Sequence, residues 1–198
     1  MNTAYYWEQR YKSGGNSGRG LCLDFKGEVL RRFIKKHHIK SIIDLGCGDG
    51  RMVKLFDVND YVGLDISPTA VDICKKAFAE DKNKVFRVYE HPIVDLEPKE
   101  LTLSLDVIFH LLEDETYSNY MEDLFNYATK YVIVFSSDTE GSLRGQAGHL
   151  RQHKFTDWVK ANRKDWELLT KINNRFPYNP ETGEGAISDF YIFQCKKL

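Results

Sequence analysis

In 198 residues, 28 lysines and arginines face 29 aspartates and glutamates for a net charge of −1, so no global field draws the chain to nucleic acid or an anionic membrane. A chain of this length folds as one domain or at most two and buries roughly 70% of its unfolded surface; with 42% hydrophobic and 13% aromatic residues it is too apolar to stay disordered. No apolar run is long enough to span a membrane, and the first ten residues lack the basic-then-apolar pattern of a secretory signal. Cys22, Cys47, Cys74 and Cys195 show neither Cys-x-x-Cys spacing nor the density of a disulfide scaffold. These features predict a cytoplasmic protein with reduced thiols and no membrane partner.

Taken in chain order, Ala4 to Lys12 reads as an aromatic helix, and Ser13 to Gly20, with four glycines and two serines, as a flexible piece. From Asp24 to His38, Phe25, Val29, Leu30, Phe33 and Ile34 recur at helical spacing among charges, the pattern of an amphipathic helix. The period then changes. Ser41 to Leu45 and Tyr61 to Asp65 are short, nearly continuous apolar runs of the kind a strand buried on both faces needs. Pro68 to Ala79 follows as a helix with proline near its start.

The alternation continues with a strand over Val85 to Tyr89, a strand over Leu101 to Leu105 running on into Asp106 to Leu112, a helix over Thr116 to Thr129 and a strand over Tyr131 to Ser136. Past Gly141, Gly145 and Gly148 the pattern loosens. A helix over Phe155 to Asn162 and two strands, Trp166 to Ile172 and Ala186 to Cys195, complete it, the last pair antiparallel at one edge. Strand and helix taking turns predicts an α/β fold with a mostly parallel sheet covered on both faces. No internal repeat or linker divides it, so residues 1–198 are expected to form a single domain, with 1–23 as an aromatic and glycine-rich N-terminal lid and 24–198 as the core.

The chemistry concentrates in Asp44-Leu45-Gly46-Cys47-Gly48-Asp49-Gly50, where a buried strand breaks into alternating glycines. Glycine belongs where backbone turns tightly and approaches a ligand without a Cβ in the way, and in a doubly wound sheet this turn lies at the ligand-binding edge. Asp65 closes the next strand nineteen residues after Gly46, where a carboxylate can accept from both hydroxyls of a ribose. The dinucleotide pattern Gly-x-Gly-x-x-Gly fails, because Arg51 stands at the third glycine. Asp44 and Asp49 beside the turn would repel a pyrophosphate but suit a ligand with an ammonium and a sulfonium, as S-adenosyl-L-methionine has.

These residues resemble the class I S-adenosylmethionine-dependent methyltransferases over most of the chain: "DLGCGDG" is similar to the family's first motif, "VGLDIS" to its second, and "LTLSLDVIFHLLED" to its fourth strand and the turn after it. The resemblance implies a Rossmann-like, doubly wound, seven-stranded sheet with a C-terminal antiparallel hairpin. It implies that Gly46, Cys47 and Gly48 lie along the methionine part and ribose of the cofactor, that Asp44 helps hold its amino group, and that Asp65 takes the ribose hydroxyls with Ile66 against the adenine. Glu90 stands where an acid near the adenine amine is common, and Leu105 and Asp106 where the fourth strand reaches the transferred methyl. The opening Tyr5-Tyr6-Trp7-x-x-x-Tyr11 resembles the lids of small-molecule members, and "HLRQHKFTDWV", His149 to Val159, resembles a bacterial subgroup loosely tied to surface polysaccharides and small molecules.

Bland readings stand beside these. Trp7 and Tyr11 cover a sulfonium with their ring faces or belong to the core. Asp65 and Asp106 bind ligand or cap the turns that follow. His110 acts near the methyl or simply packs, with Asp106, His149 and His153 as further candidates for a general base. His149 and His153 share a helical spacing, but no third ligand accompanies them, so no metal site is expected and, with Arg144, Arg151 and Lys154, they read as a basic wall for an anionic acceptor or as a solvated surface. The acceptor is expected to be a small molecule, a saccharide or anionic metabolite methylated on oxygen or nitrogen, and the protein a monomer or homodimer. Nucleic acid is disfavoured by the charge balance and by the lack of an Asn/Asp-Pro-Pro-Tyr tetrad. The rival readings are a nicotinamide-dependent oxidoreductase and a regulatory module that keeps the cofactor pocket without chemistry.

Overall fold

A computed structural model of the protein describes residues 2–15, 21–141 and 148–198. Most of the expected flexible piece after the first helix, and Arg144 and Gly145, lie outside these residues. The strands are β1 (Ser41–Leu45), β2 (Asp60–Asp65), β3 (Lys84–Val88), β4 (Lys99–Leu105), β5 (Ala128–Ser136), β6 (Trp166–Ile172) and β7 (Asp189–Cys195), and the helices α1 (Thr3–Lys12), α2 (Leu21–His37), α3 (Pro68–Ala77), α4 (Asp114–Asn126) and α5 (Phe155–Asn162). They build one seven-stranded sheet in the order β3-β2-β1-β4-β5-β7-β6. Strands β3 to β5 run parallel, and β7 runs antiparallel to both β5 and β6. The α/β, Rossmann-like architecture and the C-terminal antiparallel pair are thus those the alternation and the motifs imply. Strand order reverses between β1 and β4, and a crevice opens beyond their carboxyl ends, the usual place for a ligand in such sheets.

The central strand needs no polar face. Ile42 is fully buried among Leu30, Phe33, Tyr61 and Phe135 on one side of the sheet, while Ile43 and Leu45 are fully buried on the other among Leu124, Val132, Val134 and Phe193. Helices cover both sides, so alternate residues of β1 meet apolar layers in both directions and the run stays hydrophobic throughout.

Two connections differ from the sequence expectation. Asp106 has φ +60°, a left-handed conformation that takes the chain out of the β region; the expected strand extension to Leu112 therefore becomes a 3₁₀ turn at Ile108–His110. The final strand starts at Asp189 rather than Ala186, because Pro177 pairs with Ala186 and Asn179 with Glu184 in a loop of their own. Between β1 and β2 stands only the 3₁₀ turn Met52–Leu55, on which α2 sits closely enough that a Cβ at Gly27 would lie 2.8 Å from Leu55 Cδ1. Among the described residues no helix is long and apolar enough to cross a membrane, and all four cysteines are free thiols.

Gly63 of β2 faces Phe86 and Cys47, which a Cβ there would approach to 2.7 and 2.9 Å. Gly63→Ala is expected to destabilise the fold by about 1–3 kcal/mol through overpacking, read as a lower urea midpoint with unchanged slope; an unchanged midpoint would contradict this packing.

Candidate functional site

The turn that leaves β1 is held by hydrogen bonds only glycine-rich backbone can reach. Gly46 and Gly48 have φ of +85° and +56°, and a Cβ at Gly46 would meet Val107 Cγ2 at 2.4 Å. The Gly46 and Cys47 N–H groups donate to Leu64 O at 2.7 and 3.0 Å. The Gly48 N–H donates to Asp65 Oδ2 at 2.9 Å, and the Ser67 N–H to Asp65 Oδ1 at 2.9 Å. Burial pushes the Asp65 carboxyl up to about 6, against the downward pull of these two donors, with Asp49 and Glu8 adding repulsion. Gly46, Gly48, Asp65 and Ile66 line a cavity of about 630 Å³, within the size range of small-molecule sites.

Two members of the motif stand behind this lining rather than on it. The Cys47 thiol points into the core, where Gly63 leaves room for it; Cys74 beside it and burial push it well up. Only the Cys47 backbone is left to lie along a ligand. Asp44 is 2% exposed. Its Oδ2 accepts from the Tyr61 hydroxyl at 2.9 Å, its Oδ1 is buried with no partner among the described residues, and burial pushes the carboxyl up to about 7.

Helix α1 roofs the cavity with Tyr6, Trp7 and Tyr11. Trp7 meets His110 edge-on at 4.7 Å, Tyr6 stacks on His149 at 4.6 Å, and His149 in turn stacks on His110 at 5.6 Å. His110 Nδ1 lies 3.3 Å from the His149 carbonyl, so Nδ1 carries the proton and donates, which leaves Nε2 its lone pair. Burial pulls His110 down to about 4, and the ring is neutral at pH 7. Leu105 and Asp106 share this end of the cavity. Asp106 is fixed by Lys26 Nζ at 2.6 Å and by the Ser188 hydroxyl at 2.9 Å.

Other expected site residues fall elsewhere. His153 lies outside the cavity lining, with Nε2 donating to Leu111 O at 2.8 Å and its ring stacked on Tyr117 at 3.9 Å; it props the turn that carries His110. Glu90 is exposed, and Tyr89, one residue earlier, reaches the cavity instead, its hydroxyl donating to the buried Asp123 at 2.9 Å. Among the described residues the basic wall is not assembled there, since Arg151 is committed to Leu112 O and Asp114, and Lys154 faces Asp157. Among the described residues no group of three His, Cys, Asp or Glu side chains is placed to hold a metal. Sequence reasoning missed Lys26, Tyr89, Tyr120 and Glu184, all of which line the cavity.

Residues 36–183 match a family model described as a methyltransferase domain. A mouse small RNA 2'-O-methyltransferase is 25% identical over an alignment covering 80% of this chain and 45% of that protein, so the chain spans about half the length of that relative. The N-methyltransferase NodS of Bradyrhizobium japonicum, solved with S-adenosyl-L-homocysteine, is similar with a TM-score of 0.72 and 10% identity over 98% of this chain and 99% of NodS. The magnesium protoporphyrin IX methyltransferase of Synechocystis is similar with a TM-score of 0.70 and 14% identity over 97% of both chains. At such identities the likeness to the two structures is one of fold.

The unpartnered Asp44 oxygen makes a stability prediction. Because its carboxyl titrates near 7 in the fold and near 4 when unfolded, the native state keeps a proton that the unfolded chain has shed, and stability falls as pH rises through that window. Asp44→Asn removes the effect. The variant is expected to be more stable than the parent at pH 8 by about 1–4 kcal/mol, with the gap closing toward pH 4; a gap independent of pH in urea unfolding would contradict the assignment.

Proposed function

The chain belongs to the methyltransferase-domain family matched by its residues 36–183, and from that footing we propose that it moves a methyl group from S-adenosyl-L-methionine to an oxygen or nitrogen of a small-molecule acceptor, leaving S-adenosyl-L-homocysteine. One observation carries the reading: Asp65, aimed by the Gly48 and Ser67 amides, opens on the same cavity that Trp7 covers and that Asp106 and His110 close at the other end.

The residues present fit this cofactor. Asp65 keeps lone pairs on both oxygens for the ribose hydroxyls, with Ile66 and Tyr89 beside the base. Asp44, behind the turn with an unpartnered oxygen, would add an acidic group on the side of the ammonium without lining the cavity itself. The ring faces of Trp7 and Tyr11 attract a cation by about 0.5–2 kcal/mol. When bound, the cofactor supplies a methyl group already activated by a positively charged sulfur. What remains for the chain is alignment, which is worth about 7–11 kcal/mol in well-oriented pairs, and handling of the acceptor's proton. His110 Nε2 is a neutral base at working pH and takes that proton as the acceptor attacks. Asp106, held by Lys26 and Ser188, accepts a hydrogen bond from the acceptor hydroxyl or amine and orients it.

A cover attached on both flanks supports a small acceptor. Thr3 Oγ1 lies 2.7 Å from Glu113 Oε2, and Glu8 binds the start of α3. The mouse relative favours one second reading, in which the acceptor oxygen is a 2'-hydroxyl of a small RNA. A nicotinamide cofactor is disfavoured at the same turn, where Arg51 stands at the third glycine position and pairs with Asp49 at 2.9 Å.

Methyl-labelled cofactor tests the reading. The parent protein is expected to label small hydroxylated or amine acceptors, and His110→Ala to lower kcat by about 10²–10⁴-fold while leaving cofactor affinity nearly unchanged. With His110 neutral down to about 4, kcat for a hydroxylated acceptor at saturating cofactor is expected to hold from pH 7 to 5 and to fall only below that; an acid limb of that kcat near the ordinary histidine value would contradict His110 as the base. Labelling confined to small RNA would replace the acceptor proposed here, and tight cofactor binding with no labelling of any acceptor would favour the regulatory module.

A further inference from the structure

The covered cavity raises the question of what holds α1 down, and the first turn of α3 answers it. Pro68 has no N–H to satisfy, and the Ala70 N–H donates to the Ser67 hydroxyl at 3.2 Å, a local N-cap. The Thr69 N–H is left, and α3 has no acid in its own first turn. Glu8 of α1 supplies one from outside. Its Oε2 accepts from the Thr69 N–H at 3.2 Å and from the Ser67 hydroxyl at 2.6 Å, and its Oε1 accepts from the Thr69 hydroxyl at 2.8 Å. Lys12 stands 3.2 Å away on the same helix. A negative charge at a helix start, with backbone and hydroxyl donors converging on it, is the favourable arrangement for both partners.

Ser67 is the hinge of the matter. Its hydroxyl serves Glu8, and its N–H serves Asp65. We propose that Glu8 is a positioning residue whose contact with Ser67 and Thr69 clasps α1 over the cavity and couples that closure to the cofactor held at Asp65. The proposal rests on the reading of Asp65 as a cofactor ligand. Opening of α1 strips the Thr69 N–H of its partner and frees Ser67, loosening the donor that aims Asp65. Occupancy of Asp65 in turn favours the closed arrangement, because coupling between two binding events is reciprocal. A second attachment of α1, at Thr3, reaches Glu113, His110 O and Leu112 N on the acceptor side.

The Glu8 carboxyl is pulled down to about 2, chiefly by the Ser67 hydroxyl, so the clasp stays charged throughout the working range. Glu8→Gln keeps the shape and removes the charge, Glu8→Asp keeps the charge on a shorter arm, and Thr69→Val removes one donor from the opposite side. Hydrogen exchange of the α1 amides in the ligand-free protein reads the clasp without any cofactor. Stopped-flow displacement of S-adenosylhomocysteine reads the coupling. Glu8→Gln is expected to speed exchange in α1 and release of S-adenosylhomocysteine by about tenfold each, the equivalent of about 1.4 kcal/mol, with Thr69→Val similar, partial rescue by Glu8→Asp, and association within about threefold of the parent.

Parent-like exchange in both Glu8→Gln and Thr69→Val would remove the clasp. Faster exchange with unchanged release would remove the coupling. Failure of the parent protein to bind S-adenosylhomocysteine would instead remove the cofactor reading on which the proposal stands, with the exchange result still reporting on the contact itself.

Discussion

A carboxylate buried at the carboxyl ends of parallel strands is costly unless donors meet it, and Asp65 is met by two backbone amides, those of Gly48 and Ser67. That arrangement fixes the rest of the site. The Gly48 amide reaches Asp65 because the turn after β1 takes left-handed backbone at Gly46 and Gly48. Val107, after β4, comes close enough to leave no room for a Cβ at Gly46. The Ser67 amide reaches Asp65 because α3 begins at the next residue. Behind the turn lies Asp44, with an oxygen that has no protein partner. Burial raises both carboxyls, so the crevice is a place where a cation lowers the energy of groups already present.

The acceptor end follows a different logic. Asp106 sits in strained backbone and is fixed by Lys26 and Ser188, which come from α2 and from the residue just before β7. A non-glycine residue in that conformation persists only where its surroundings over-determine it. His110 is held by the 3₁₀ turn, by Trp7 and by His149, and desolvation keeps it neutral. On the proposed function, Asp106 accepts a hydrogen bond from the acceptor and the uncharged His110 takes its proton. Helix α1 touches both ends of the cavity, through Glu8 on the Asp65 side and Thr3 on the His110 side, so one element registers the state of both.

Much of this was legible in the residues. Strands β1, β2 and β5 announce themselves because a strand buried on both faces must be apolar at every position, and the glycine turn because only glycine tolerates its backbone. The misses have a common cause. Lys26 and Glu8 sit on amphipathic helices among other charges, where nothing local distinguishes a residue that meets a distant partner from one that meets water; Lys26 bonds Asp106 eighty positions on. Tyr89 and Glu90 exchange roles because successive residues at a strand end point to opposite sides, so an error of one place puts the wrong side chain in the cavity. Cys47 turns inward because Gly63, on the neighbouring strand, leaves it space, a vacancy that spacing along the chain does not disclose. His153 shares its motif with His149 but supports the site from behind, through Leu111.

On the proposed function, the β1 turn and Asp65 together grip an adenosine attached to a charged sulfur. Calorimetric titration with S-adenosylhomocysteine and, separately, with NADH tests it most directly. One micromolar site for S-adenosylhomocysteine is expected, weakened about tenfold or more in Asp65→Ala, and no heat from NADH. Micromolar binding of NADH with none of S-adenosylhomocysteine would contradict it.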